Sequence, residues 1–324
     1  MDTTVAMASW SCLHGATATQ VDTVSGTVMR FVSPHGQFYL KRKPSLPLVA
    51  REVRVLTILA GAHLPVTLPL LTHARQPYVA DGSGVFCLYA ALPGTHYHDG
   101  AVYQDLTKAT ALGVALGQLH LALAQCEHLA GFATFGDPRR GLMAALRAER
   151  PGVCDVEHLD TLVTTLHSPA ALPQTVIHRD PHPGNLLFEG GQLSGVLDFD
   201  CMMRGPRLFD PCYCATGMLV ARFADEAYRA TWFDVVRALF AGYRRVVPLT
   251  AAEQSGMFTM LALIQLIFIA SALRTHRPDT ARLNQRALLW LNDNRQPLEE
   301  AIAVTPDTSR YPVSCQNTPT APEG

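Results

Sequence analysis

The chain has 324 residues, a mass of 35.3 kDa and a formal net charge of -1 at pH 7. Hydrophobic residues make up 48% and charged residues 16%, a composition that forms a packed globule and excludes a disordered chain. Near-neutral charge provides no basic field, so no nucleic-acid partner is expected.

Eight cysteines are scattered without a CxxC pair, and the N-terminus lacks a basic region followed by an apolar core. Reduced thiols in a cytoplasmic protein are the expectation. "MFTMLALIQLIFIASAL" approaches the length of a membrane span. Gln265 at its centre and the absence of a close basic flank favour a central buried helix, so no membrane partner is expected.

In chain order, residues 1–16 show little pattern. From Thr17, "TQVDTVSGTVMRFVSPHGQFYLKRKP" is three β-rich runs separated by turn residues, a meander ending at Lys41. "LVAREVRVLTILAGAH" has helical spacing and closes on Gly61. "PYVADGSGVFCLYAALPG" returns to strand around an Asp81-Gly82 hairpin turn. Beyond Gly94 the pattern becomes helical, with "ATALGVALGQLHLALAQ", "GLMAALRAER" and "HLDTLVTTLH", and helices again follow Asp210 to about Ile302. The organisation expected is an N-terminal segment (1–16), an N-lobe (17–92), a C-lobe (93–302) and a polar, proline-rich tail (303–324) with the composition of a disordered segment.

Between the helical stretches lies "VIHRDPHPGNLLFEGGQLSGVLDFD", residues 176–200. Leu186-Leu187-Phe188 and Leu193 to Leu197 read as two short strands turning at Glu189-Gly190-Gly191. Residues equidistant from a hairpin turn face each other, which puts Asn185 and Asp198 on one rim. An amide oxygen beside a carboxylate is a hard oxygen pair, suited to Mg2+ and poor for zinc. Asp180 stands just before them in a loop stiffened by Pro181 and Pro183. A carboxylate facing a metal pair meets the needs of phosphoryl transfer, which asks for charge neutralisation and orientation of a hydroxyl.

"HRDPHPGN" followed by "LDFD" resembles the catalytic loop and metal motif of the protein-kinase-like fold. The D-x-H-x-x-N form, filled by Asp180, His182 and Asn185, is that of the aminoglycoside phosphotransferase, choline kinase and homoserine-kinase-like small-molecule kinases. The downstream Gly-Pro-x-x-x-Asp of that family is present as Gly205-Pro206 and Asp210. The resemblance implies an α+β, bilobal protein-kinase-like fold, with a small antiparallel β-rich N-lobe holding one helix and a larger, mostly α-helical C-lobe. It further implies ATP and Mg2+ as cofactors, Asp180 as the catalytic base, and Asn185 and Asp198 as metal ligands. Lys41 in "FYLKRKP" would hold the α- and β-phosphates, oriented by Glu52 of "LVAREVRVL". Backbone groups from Tyr89 to Ala91 in "LYAALPG" would bind adenine, and Gly26 would lie in the phosphate loop. His178, His182 and Asp210 would support the site, with Asp210 tying the catalytic loop to the helical lobe.

Only a dozen residues separate Asp198 from Asp210, which leaves little platform for a peptide and favours a small hydroxylated substrate. The expected acceptor is an amino-sugar antibiotic or related natural product. Amino alcohols and hydroxy amino acids such as choline and homoserine are the alternative. A protein serine/threonine kinase, to which Arg179 would point, and a catalytically inactive nucleotide-binding module stand further off. Oligomeric state is not legible in the sequence.

Overall fold

Helix α1 (Thr3–Ser9) and a 3-10 turn (Ser11–Leu13) give structure to the opening stretch, where little pattern was expected. The computed structural model describes residues 3–23, 26–97, 100–148 and 154–303. Trp10 and Leu13 bury their side chains against Phe31, Phe38, Leu40, Phe86 and Leu88. The Trp10 indole N–H donates to the Leu70 carbonyl at 2.9 Å. The N-terminal segment is therefore part of the N-lobe core, closing one face of its sheet. Each such side chain contributes about 1.5–3 kcal/mol by burial.

That sheet has β1 (Thr17–Thr23), β2 (Gly26–Ser33), β3 (Gly36–Lys43), β4 (Val79–Asp81) and β5 (Gly84–Ala90) in the order β1-β2-β3-β5-β4, every neighbour antiparallel. The pleat of β3 sends Phe38 and Leu40 to the Trp10 side. Lys41 and Lys43, alternating with them, face the opposite side. Strand β3 runs two residues beyond Lys41, because Arg42 and Lys43 still pair with Phe86 and Val85. Pro44 then stops it, having no N–H to give. Helix α2 (Leu46–Gly61) follows and sets Val55, Leu56 and Leu59 into the main core of the C-lobe, joining the two lobes through packing.

The connector passes through Pro93 and Gly94 into β6 (Thr95–His96). Gly94 has φ +94°, and a Cβ there would stand 2.7 Å from the Phe188 carbonyl oxygen. Only glycine allows that approach.

The C-lobe comprises α3 (Ala101–Gln104), α4 (Leu106–Ala124), α5 (Pro138–Ala148), α6 (Val156–Thr165), β7 (Gln174–Ile177), β8 (Leu186–Glu189), β9 (Gln192–Val196) and β10 (Met203–Pro206). It continues with α7 (Phe209–Ala221), α8 (Glu226–Arg244), α9 (Ala251–Ser255), α10 (Met257–Arg274), α11 (Pro278–Asp293) and α12 (Arg295–Ala303). Strand β6 pairs with β8, β8 with β9, and β7 with β10. Helix α10 is apolar and long enough to cross a membrane by length and composition, yet 78% of it is buried inside the fold. It packs against α5, α7 and α11, as expected of a central core helix. The tail expected over 303–324 lies outside the described residues from 304 onward.

Helices α4 and α8 form the most extensive helix contact of the lobe. They meet through Gly113 and Gly242, where an added Cβ would lie 1.9 Å from the Leu239 oxygen and 2.0 Å from the Thr110 oxygen. On an exposed helix, glycine to alanine gains about 1 kcal/mol. Here the sign reverses: Gly113→Ala is expected to destabilise by about 1–3 kcal/mol, because neither backbone can yield without separating the helices. Urea unfolding checks this, and a stabilised variant would disprove the close approach.

Candidate active site

Strand β7 ends at the buried Ile177, and His178 continues from it with no exposed surface. The His178 Nε2–H donates to the Leu197 carbonyl at 2.9 Å, and Nδ1 accepts from the Asp180 N–H at 3.3 Å. This pair of bonds specifies the neutral Nε2–H tautomer. Burial agrees, pushing the imidazole below its usual range against the opposing pull of Asp210. Asp210, fully buried at the start of α7, accepts from the backbone N–H groups of His178 and Arg179, both at 2.9 Å. Its Oδ2 also lies 2.9 Å from His120 Nε2, whose ring meets the Tyr243 hydroxyl at 2.7 Å. Asp210 is thus a buried carboxylate that holds two successive amides of the His178–Asp180 loop to the start of α7.

Arg179 sits at φ +72°, and this left-handed residue turns the chain out of the strand so that Asp180 leaves the core half-buried. His182 caps the short 3-10 turn Pro183–Asn185, its Nδ1 accepting from the Gly184 N–H at 3.1 Å. Its Nε2 is 4.0 Å from Asp180 Oδ2, so the ring braces the loop without touching the carboxylate.

The Asn185 side-chain nitrogen donates to the Asp180 carbonyl at 2.9 Å and approaches Oδ2 at 3.4 Å. Its amide oxygen is the end left to face a cation. A bulge in the β8–β9 hairpin pairs Leu187 with Gly195 but Phe188 with Leu193. This moves the register by one residue, and the Leu197 N–H consequently donates to the Asn185 carbonyl at 2.9 Å. Asp198 follows immediately at φ +63°, one residue beyond the position opposite Asn185, and not directly facing it as equal spacing from the turn would have it. Asn185 and Asp198 supply only oxygen donors, the chemistry that fits Mg2+.

The lysine arrangement differs from the expectation. Glu52 pairs with Lys43, at 2.7 Å, and not with Lys41. Lys41 Nζ lies 2.5 Å from Asp198 Oδ1 and 2.7 Å from Asp200 Oδ2, and Lys43 also reaches Asp200 at 2.6 Å. The reason is strand length. Lys43 lies two residues, about 6.5 Å, further along the same face of β3, where α2 brings Glu52 alongside. Lys43 and Glu52 are only 4% and 5% exposed, so each neutralises a charge that would otherwise be costly to bury. Burial pushes the Glu52 carboxyl up while the Lys43 ammonium pulls it down. Burial would also raise Asp200, but the Lys43 and Lys41 ammonium groups outweigh it and hold Asp200 below the usual carboxylate range. Burial would lower Lys41, and Asp200 with Asp198 reverses that and raises it.

Tyr89 contributes through its side chain as well as its backbone. Its hydroxyl donates to Glu52 at 3.1 Å, and the Lys43 ammonium stands 5.1 Å from its ring centre. The Ala91 N–H is committed to the Gln37 carbonyl at 2.9 Å, so this amide serves the sheet and is not free for adenine. Gly26 begins β2, paired with Thr23, and the preceding turn residues 24–25, including Ser25, lie outside the described residues.

Two site residues went unrecognised in sequence. Asp200, the last residue of "LDFD", joins both lysines. Tyr213 on α7 donates its hydroxyl to Asp180 Oδ1 at 2.5 Å. Nothing near Tyr213 marks it, although one helical turn from Asp210 is the spacing that would bring it to the loop. A cavity of about 560 Å³ between Pro169, Met257 and Arg295 shares no residue with this site.

Comparison with known proteins agrees with the geometry. Residues 18–249 match the model of the Phosphotransferase enzyme family. The chain is similar to homoserine kinase of Azorhizobium caulinodans, 36% identical over 146 residues, 44% of each protein. It is also similar to homoserine kinase of Rhodopseudomonas palustris, 31% identical over 220 residues, 60% of this chain and 63% of that one. The match thus spans 44% and 63% of the length of these two relatives. Among solved structures, an amicoumacin kinase in complex with AMP-PNP and Ca2+ superposes with a TM-score of 0.65 at 13% identity, covering 91% of this chain and 93% of that one. A microcompartment-associated aminopropanol kinase superposes with a TM-score of 0.63 at 15% identity, over 90% and 98% of the two chains. These superpositions establish the protein-kinase-like fold. Because that family model covers residues 18–249, well over half of the chain, the chain belongs to the Phosphotransferase enzyme family.

Proposed function

We propose that the protein is an ATP- and Mg2+-dependent O-phosphotransferase whose acceptor is the hydroxyl of a small hydroxy amino acid of the homoserine type. The observation that carries the reaction type is the setting of Asp180. One oxygen is held by Tyr213, the loop is fixed by Asn185 and Asp210, and Oδ2 has only the long 3.4 Å approach of Asn185 Nδ2, which leaves it capacity to accept from a hydroxyl. Asp180 would orient that hydroxyl and accept its proton as transfer proceeds. Asn185 and Asp198 would hold Mg2+, which when bound neutralises phosphate charge. Lys43, oriented by Glu52, and Lys41 beside it would receive the phosphates.

The acceptor class rests on a second observation. Arg179 precedes the base, and its charge reaches Tyr213 and Cys201, where it opposes the upward push of burial on both groups. Its buried Nε has no hydrogen-bond partner among the described residues. A guanidinium beside the base favours a substrate carrying its own carboxylate and disfavours a polycationic amino sugar. The similarity to homoserine kinases supports the same choice, and the amino-sugar expectation gives way to it.

The test is ADP release with Mg-ATP against homoserine, related hydroxy amino acids, amino alcohols and aminoglycosides. Turnover with hydroxy amino acids is expected, and Arg179→Gln is expected to raise their KM by roughly tenfold or more through loss of a charge-assisted contact. Turnover confined to aminoglycosides would refute the acceptor class and leave the reaction type standing.

A further inference from the structure

Two lysines, not one, enter the site from β3, and only Lys43 is used by Glu52. Lys41 instead inserts its ammonium between Asp198 and Asp200, at 2.5 and 2.7 Å. Asp198 directly follows Leu197, the residue the hairpin sets opposite Asn185, and the ammonium stands on its carboxylate where a cation held by that oxygen would stand. A divalent ion and an ammonium cannot both stand within 2.7 Å of these oxygens without severe repulsion. The local cluster holds Asp198, Asp200 and Glu52 against Lys41 and Lys43, leaving one negative charge in excess. That excess is a weak attraction for a free divalent ion, and the ion would also have to displace Lys41.

We infer that Lys41 is a built-in counter-ion that keeps free divalent cations out of the Asp198 position, so that metal enters with the nucleotide, whose phosphates draw Lys41 away. This rests on the phosphotransferase reading for the identity of the anion. Lys41 is suited to the exchange. Its side chain is 18% exposed against 2% for Lys43, and it lies on a flexible four-carbon stem. The polyphosphate supplies more negative charge than the two carboxylates it would replace, and it brings the cation with it. The device makes metal and nucleotide binding mutually dependent: each improves the affinity of the other by the same factor.

The test titrates Mn2+ into the chelator-treated full chain, reading free Mn2+ by electron paramagnetic resonance, with and without a non-hydrolysable ATP analogue. Without nucleotide, Lys41→Gln and, as a second neutral variant, Lys41→Met are expected to bind Mn2+ at least about tenfold more tightly than the wild type. Lys41→Arg, which keeps the charge, is expected to show no gain, and Asp198→Asn added to Lys41→Gln is expected to abolish it. In the wild type the analogue is expected to strengthen Mn2+ binding by a larger factor than in Lys41→Gln. Equal Mn2+ affinity in wild type and both neutral variants would overturn the inference, as would a gain that survives Asp198→Asn. Failure of the analogue to bind at all, with the gain in the neutral variants intact, would sink the phosphotransferase reading and keep the counter-ion role.

Discussion

Asp180→Asn is expected to lower kcat by about 10²–10⁴-fold, the range for loss of a positioned general base, with nucleotide affinity unchanged. Asparagine keeps the shape and still offers an oxygen to the Tyr213 hydroxyl, which now meets Oδ1 at 2.5 Å. What is lost is the second carboxylate oxygen, Oδ2. In the substituted protein an amide NH2 would face Asn185 Nδ2, now 3.4 Å from Oδ2, and it could not accept a proton. Steady-state turnover combined with calorimetric titration of the ATP analogue separates the two effects. A variant retaining more than about a tenth of wild-type kcat would place the base elsewhere.

Asp210→Ala is expected to cost both stability and activity, although Asp210 has no exposed surface to meet a substrate. Three donors converge on its carboxylate: the amides of His178 and Arg179, and His120 Nε2. All lie in a region where Asp210 and His178 have no exposed surface. Removing the acceptor leaves donors desolvated and unpaired, at about 1–3 kcal/mol each. A total near 3–5 kcal/mol, the usual result of breaking a buried pair, is the expected loss in urea unfolding. The kinetic loss follows from geometry, since the two released amides belong to the residues that aim Asp180. Assayed well below its unfolding transition, the variant should therefore lose kcat far more than it gains KM. Wild-type kcat in a folded Asp210→Ala protein would show that the loop holds its form without this anchor. Asp210→Asn keeps one accepting oxygen and should fall between the two in both measurements.

The central part of the proposed site is local in sequence. Asp180, Asn185 and Asp198 lie within one loop and one hairpin, and the residues near Gly191 determine which side chains reach a common rim. The bulge at Leu187/Phe188 was not legible, and it sets Leu197 opposite Asn185 with Asp198 one residue further on. Asp210 was readable because it follows Gly205-Pro206 at a fixed distance on the strand-to-helix passage that returns to β7.

The lysine pairing was not local. Both Lys41 and Lys43 point to the same face, and the choice of partner for Glu52 depends on where β3 stops relative to α2. Pairing with Phe86 and Val85 on β5 extends the strand to Lys43, and no pattern within "YLKRKP" encodes that extension. Asp200 and Tyr213 were hidden in the same way. Each acquires its role by meeting a side chain from another segment: Asp200 from β3, across 157 positions, and Tyr213 from the catalytic loop, across 33. Trp10 and Leu13 carry no periodicity to announce a helix, and they gain their place by burial on the sheet.

The amino-acid sequence by itself pointed to the fold through its resemblance to a known family, and it set Asp180, Asn185 and Asp198 close together because they lie within one loop and one hairpin. Only the tertiary structure decided which lysine serves Glu52, which residue steadies the base, and how the N-terminal helix completes the sheet. Those relations are made by packing between distant segments, where strand ends and helix positions shift a side chain by several ångströms at no cost to the local pattern.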